Sequence, residues 1–212
     1  VKNLVIENFK VGINSHQTNG VTIIGNTIRN ASTYGMYIYD SGTCPNCGSG
    51  VVINNNHLVN SGNNNGGGSI DLRGFEGDGT CNTNIPYFLD LSEIGNLPPG
   101  NDPTPVTIKA NIITNAVGWG INLDVAGACI DDNTINGAGS GISVSGPGYS
   151  VGQSNNNIIS NNVITAVNND GIAVSGSGNT FTGNTVSDTQ YRNAFKFDSR
   201  SQNNILTNNV AN

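Results

Sequence analysis

Charge is what this sequence has least of. Only 10% of its 212 residues are Asp, Glu, Lys or Arg, where an ordinary globular domain carries about 25%. Lys and Arg number eight, without an evident cluster, and the net charge is −6. A nucleic-acid surface needs a basic stripe, so that role is excluded. The acidity reads most plainly as solubility, with calcium sites or a cationic substrate as alternative sources. No run of 18 apolar residues is present, so no helical membrane span is expected. No signal peptide is visible, and Val1 already opens a strand-like run, as in a mature or trimmed chain.

What fills the space is asparagine, at 38 positions, and glycine, at 29. Both residue types favour tight turns, and β-branched residues between them favour short strands. The scarcity of charge and the recurring apolar runs argue against disorder. Those runs repeat. Val21–Ile28 reads VTIIGNTI, and the pattern returns at Val51–Leu58, Val106–Ile113, Ala128–Ile135, Asn157–Ile164, Asn179–Val186 and Asn204–Val210. Leu4–Val11 is a variant first copy. One column is Asn in seven copies (Asn26, Asn56, Asn111, Asn133, Asn162, Asn184, Asn209), with Phe9 in that place in the first copy. A second strand follows each copy, as in Gly35-Met-Tyr-Ile-Tyr39, Ser69-Ile-Asp-Leu-Arg73 and Gly120-Ile-Asn-Leu-Asp124, alternating apolar with polar. Its leading Gly suits a sharp bend with φ > 0 or close packing.

No single unit can bury its apolar residues alone, but units stacked about 4.8 Å apart bury them in one continuous core. Asn at a recurring bend then forms a ladder of side-chain amides. A coil of about 22 residues with two or three strands resembles the right-handed parallel β-helix repeat family, which includes the pectate-lyase-like superfamily and NosD-like repeats. The resemblance implies an all-β, single-domain solenoid of about eight coils over residues 1–212, with an internal Asn ladder. It carries no catalytic residue over. The Arg-x-Pro-x-x-Arg of pectate lyases is absent, as are the polygalacturonase Asn-Thr-Asp, Asp-Asp and Gly-His-Gly set and the Asp-Pro-His-Glu of mannuronan epimerases.

Insertions are expected at 41–50 and 74–105, the second rich in Pro and long enough to act as a lid or a packing flap. Cys44 and Cys47 lie in the first, Cys81 in the second, and Cys129 opens a strand. A lone CxxC is weak evidence for zinc, so disulfides in an oxidising compartment are expected, with Cys44–Cys47 and Cys81–Cys129 preferred.

The alternation of the second strand turns two columns outward: Tyr37, Asp71, Asn122, Ser143, Ala173, Lys196, and Tyr39, Arg73, Asp124, Ser145, Ser175, Asp198. Coils two to four are richest. Tyr37, Tyr39, Asn122 and Trp119 are candidate sugar-binding residues. Asp71 and Asp124 are candidate acid and base or nucleophile for glycoside hydrolysis. A lyase would instead use Arg73 or Lys109, with calcium held by Asp71 and Asp124. The plainer alternatives are a cross-strand salt bridge at Arg73 and another between Lys109 and Asp131; His16 and His57 read as surface or packing residues. The expected function is a secreted or cell-surface carbohydrate-active protein that cleaves or binds a polysaccharide or other glycan. The rival is a structural or adhesive module of a surface layer, fibre or phage spike. Neither end shows a capping helix, which leaves open flanking domains, end-to-end self-association, or a chain that is a fragment.

Overall fold

A computed structural model describes residues 1–16, 20–39, 51–63, 67–76, 106–145 and 154–212, the side chains of 74–76 excepted. All regular structure among the described residues is strand. The eight-residue repeat is not one strand but two, turned against each other at the Asn column. In coil two, Thr22–Ile24 precedes the column, Thr27–Arg29 follows it, and Tyr34–Tyr39 completes the coil. Equivalent strands of successive coils pair in parallel and in register, for example Ile23 with Ile53 and Ile28 with Leu58. Three sheets result, of seven, eight and seven strands. We call them the entry sheet, the exit sheet and the face sheet. The right-handed parallel β-helix of eight coils is therefore the observed architecture.

The core follows from the alternation. Ile23, Ile53, Ile108, Ile130, Ile159 and Phe181 stack inward from the entry sheet, each fully buried. Leu58, Ile113, Ile135 and Ile164 do the same from the exit sheet, and Ile70, Ile121 and Ile142 from the face sheet. Every neighbour in these stacks comes from the next coil, so burial is shared along the axis.

At the first corner the ladder is continuous. The backbone and side-chain N–H groups of Asn133 both donate to Oδ1 of Asn162, at 3.0 Å each. Nδ2 of Asn133 also donates to the carbonyls of Ile108 and Asp131. The same arrangement runs from Asn26 through Asn56, Asn111, Asn133, Asn162 and Asn184 to Asn209. In the first coil the place belongs to Leu4, whose N–H donates to Asn26. Phe9 is not the equivalent residue: Val5 pairs with Thr27, so Leu4–Val11 aligns five residues later in the repeat than its sequence suggested. A second ladder joins Asn157, Asn179 and Asn204 at the corner before the entry sheet.

Corners also explain the asparagines outside the ladders. Asn30, Asn55, Asn60, Asn115, Asn161 and Asn208 all have φ between 51° and 56°, the left-handed region that Asn tolerates and most residues do not. Ala110 and Ala166 adopt it as well, at 52° and 53°, and bear the strain without a polar side chain to offset it. The Gly that leads five of the seven face strands has a different reason. Gly120 and Gly141 are not among the positive-φ residues. A Cβ on Gly120 would meet Ile135 at 2.8 Å and the Gly141 carbonyl at 3.0 Å, so close packing is the constraint.

The strand Gly68–Glu76 continues three residues past Arg73, so the long excursion begins later than residue 74. The expected insertion at 41–50 and the remainder of the second lie outside the described residues, as do Cys44, Cys47 and Cys81. The described part holds no free cysteine, which includes Cys129.

Replacing Asn133 with Leu should strand the buried backbone N–H of Asn111 and take a donor from the Ile108 carbonyl and the Asn162 amide oxygen, each worth about 1–3 kcal/mol. Denaturant titration should show a loss of about 3 kcal/mol or more. Asn30→Ala, on an exposed amide row between Asn8 and Asn60, should cost about 1–2 kcal/mol, chiefly the left-handed backbone.

Candidate active site on the face sheet

The outward columns of the face sheet lie as the alternation places them. Tyr37 pairs with Asp71, Asp71 with Asn122 and Asn122 with Ser143. Tyr39 pairs with Arg73, and Arg73 with Asp124. Immediately beyond this pair the register shifts between Asp124 and Val125, so that Gly74 has no partner. Such a bulge bends the strand and re-aims neighbouring side chains.

Asp71 sits at the centre and is fully buried. Arg73 grips it with two parallel bonds, Nε to Oδ1 at 2.6 Å and Nη2 to Oδ2 at 3.0 Å. Asn122 adds a third donor to Oδ2 at 3.1 Å. Bidentate, charge-assisted bonds of this kind are the strong ones, and the bond to Asp71 holds the Arg73 guanidinium above its usual pKa. Arg73 also lies 5.6 Å from the Tyr37 ring centre, within cation–π range. Burial pushes the Tyr37 hydroxyl up, with Arg73 opposing. Arg73 is therefore salt-bridged, but to Asp71 two residues back on its own strand and not across strands as the sequence suggested.

Asp124 is different. It is only 6% exposed, and its Oδ1 has no hydrogen-bond partner among the described residues. Burial pushes its pKa up to about 6, with Arg73 pulling down and Asp71 pushing up. Two carboxyl groups one coil apart thus have opposite surroundings, one locked in an ion pair and one left open. Asp71 already accepts bonds from Arg73 and Asn122, so a calcium ion shared with Asp124 would have to share its oxygens with those donors. No group of three or more His, Cys, Asp or Glu that could hold a metal occurs among the described residues.

Aromatic rings border the carboxyl groups on the first-coil side. Tyr34 stacks on Tyr37 at 4.7 Å, Tyr37 lies nearly parallel to Tyr39 at 6.1 Å, and His16 leans on Tyr39 at 5.1 Å. Neither Tyr34 nor His16 was picked out from the sequence. His16 pairs with Tyr39 in register, so extending the outward column by one coil would have found it. His57 is exposed on the exit sheet.

Two candidates lie elsewhere. Lys109 is on the entry sheet, paired with Asp131 in register and bonded to it at 2.9 Å. Burial pushes Asp131 up, but bonds from Lys109, Ser160 and Asn161 prevail and hold it below its usual value. This is the structural pair foreseen as the alternative, and Lys109 takes no part in the face-sheet patch. Trp119 is half-buried and borders a trough of about 450 Å³ over coils four to seven, rather than the Tyr37–Asp124 patch. Ser143, Ser145, Ala173 and Ser175 floor this trough, and Arg192 and Lys196 line its far end. The cations are thus less dispersed than the sequence suggested: Arg192, Lys196 and Arg200 fall on neighbouring turns.

The raised pKa of Asp124 has a definite linkage sign. Its folded pKa lies above the unfolded value of about 3.9, so stability is full below pH 4 and falls as pH rises through about 6. Asp124→Asn should remove that loss. In urea titrations the variant should match the wild type near pH 4 and exceed it at pH 8, by at most about 3 kcal/mol.

No curated protein and no solved structure matches the chain. A family model described as "Right handed beta helix region" matches residues 99–212, which takes in the trough, Asn122 and Asp124 and leaves Tyr37, Asp71 and Arg73 outside. That span is more than half of the chain, has the strand order and ladder just described, and establishes that the chain belongs to the right-handed beta helix family.

Proposed function

We propose that the protein is a secreted or cell-surface carbohydrate-active β-helix that cleaves a polysaccharide on the face sheet, with Asp124 as its proton-transfer group. The observation that carries this is the contrast at coils three and four. Asp71 is neutralised by Arg73, whereas Asp124 is buried, without a partner at Oδ1, and titrates near pH 6. Hydrolysis and elimination both need a proton delivered to the departing glycosidic oxygen, and a carboxyl group with a pKa near the working pH delivers it best. Asp71 is held too firmly to act as nucleophile; it fixes Arg73, whose positive charge faces the same surface. The rings of Tyr37 and Tyr39 supply flat faces for sugar rings, and Asn122 supplies amide bonds. The shortage of charge, the Asn-rich corners and a Cys129 that is not a free thiol belong with an extracellular setting.

The test is a turnover screen on neutral and acidic polysaccharides, reading new reducing ends and the ultraviolet absorbance of unsaturated products. Wild-type turnover should decline as pH rises through about 6, because Asp124 then loses its proton. Asp124→Asn should lower kcat by about 100-fold or more while binding persists. Unchanged turnover in that variant, or no turnover on any substrate, would refute the assignment.

A second reading rests on the end coils. Val5 is 68% exposed and Ile205 58%, and among the described residues their strands have a neighbour on one side only. Apolar strand edges of this kind pair readily, as in a structural or adhesive fibre. Sedimentation should then show concentration-dependent assembly, reduced by Val5→Lys and Ile205→Lys; a monomer at all concentrations would dismiss it.

A further inference from the structure

The trough beside Asp124 has a chemistry of its own. Its floor is made of small residues: Ser143 and Ala173 continue the Asn122 column, and Ser145 and Ser175 continue the Asp124 column. Small side chains on two successive coils leave a channel that crosses the strands. Its near wall is Trp119 and its far end is cationic. Arg192 and Lys196 both reach toward Asp170, at 3.9 Å and 3.5 Å. Asp170 is nearly fully buried and already accepts two bonds from Asn193. One buried carboxylate thus faces two half-exposed cations, which leaves about one positive charge turned to the channel. Arg200 does not add to it, because Asp198 neutralises it at 2.8 Å. The Arg200 and Ser175 bonds outweigh burial there and hold the Asp198 carboxyl at about 2.

This local charge stands against the chain as a whole, whose net charge is −6. A polyanion finds no general attraction here, so any affinity for one has to come from a defined place. Lys196 lies three coils beyond Asn122 and Asp124, about 14 Å at the spacing of adjacent strands. A chain lying in the channel therefore meets the proton-transfer group at one point and the cations several ångströms further along.

We propose that the trough is a subsite for a negatively charged substituent of a glycan, a carboxylate or a sulfate ester. The substituent is held by Lys196 and Arg192 about 14 Å from Asp124, remote from the bond being cleaved. The assignment rests on the face sheet being the glycan-binding surface. It adds that the substrate is anionic and that its charge is read at a distance from the chemistry. The serine hydroxyls of the floor, two of which share a 2.7 Å bond, supply donors and acceptors to the sugar in between.

The test uses the whole chain on a glycan array of neutral, uronate-bearing and sulfated oligosaccharides, followed by titration calorimetry with the best binder of each class. Arg192 and Lys196 are 56% and 43% exposed at their side chains, so Arg192→Glu and Lys196→Glu should fold, as circular dichroism will verify. Ser175→Tyr, which fills the channel beside the Arg200–Asp198 pair and leaves Arg192 and Lys196 in place, is the second variant. Anionic glycans should bind the wild type, and added salt should weaken them. The charge reversals should weaken them at least tenfold and leave neutral glycans unaffected; Ser175→Tyr should weaken both. Preference between uronate and sulfate identifies which anion the subsite takes. Anionic binding that survives both charge reversals overturns the subsite alone, as does binding of neutral glycans only. Absence of binding to every class overturns the subsite together with the carbohydrate reading.

Discussion

The structure depends on one buried hydrogen-bond pattern, the amide of each corner Asn bonded to the amide of the next. A carboxamide is suited to it because it offers two donors and a two-lone-pair acceptor on one short arm. Asn133 uses them all: its nitrogen satisfies Ile108, Asp131 and Asn162, and its oxygen accepts both N–H groups of Asn111. No apolar residue at that corner would satisfy the same groups, and an unsatisfied buried amide is costly. The stacked Ile and Leu residues supply the apolar burial, but the ladder fixes which residue of one coil faces which residue of the next. A slip of one residue would bury the polar face of every strand.

That fixed register is what makes the outer face predictable. Column neighbours such as Tyr37, Asp71 and Asn122 were legible in the sequence, because the Asn spacing gives the coils and the alternation gives the faces. The left-handed corners were legible in composition, though not in position. Three things were not legible. The corner that splits VTIIGNTI into two strands depends on the φ of Gly25, and the apolar pattern runs through it without a break. The first coil was misaligned because Leu4 occupies an Asn position, which left no Asn to mark that corner. Lys109 was grouped with Arg73 by chemistry, although the ladder places it on another sheet.

The candidate site was half legible. Sequence placed Asp71 and Asp124 on one surface, yet it could not tell them apart. The distinction arises from side-chain reach: Arg73 closes back on Asp71, two residues away on its own strand, and leaves Asp124, its cross-strand neighbour, open. An alternating strand puts both options at similar distance, and the bulge at Gly74 lies beside the choice. The trough was missed for a simpler reason. Serine and alanine carry no chemical signal in a sequence, and their importance is the volume they leave empty.

The coils are not equally easy to assemble. Most successive ladder residues lie 22 to 30 positions apart, but Asn56 and Asn111 are separated by 55. Closing the longer loop costs about 0.8 kcal/mol more than closing one of 22, since the cost grows only with the logarithm of length. The penalty is small at equilibrium, but a growing stack meets it all at once. Coils one to three and coils four to eight can each zip up along short loops before they join. Asp71 and Arg73 belong to the first group, Asn122 and Asp124 to the second. Asp71 and Asp124 therefore face each other across the seam between the two groups of coils, the junction with the longest loop to close.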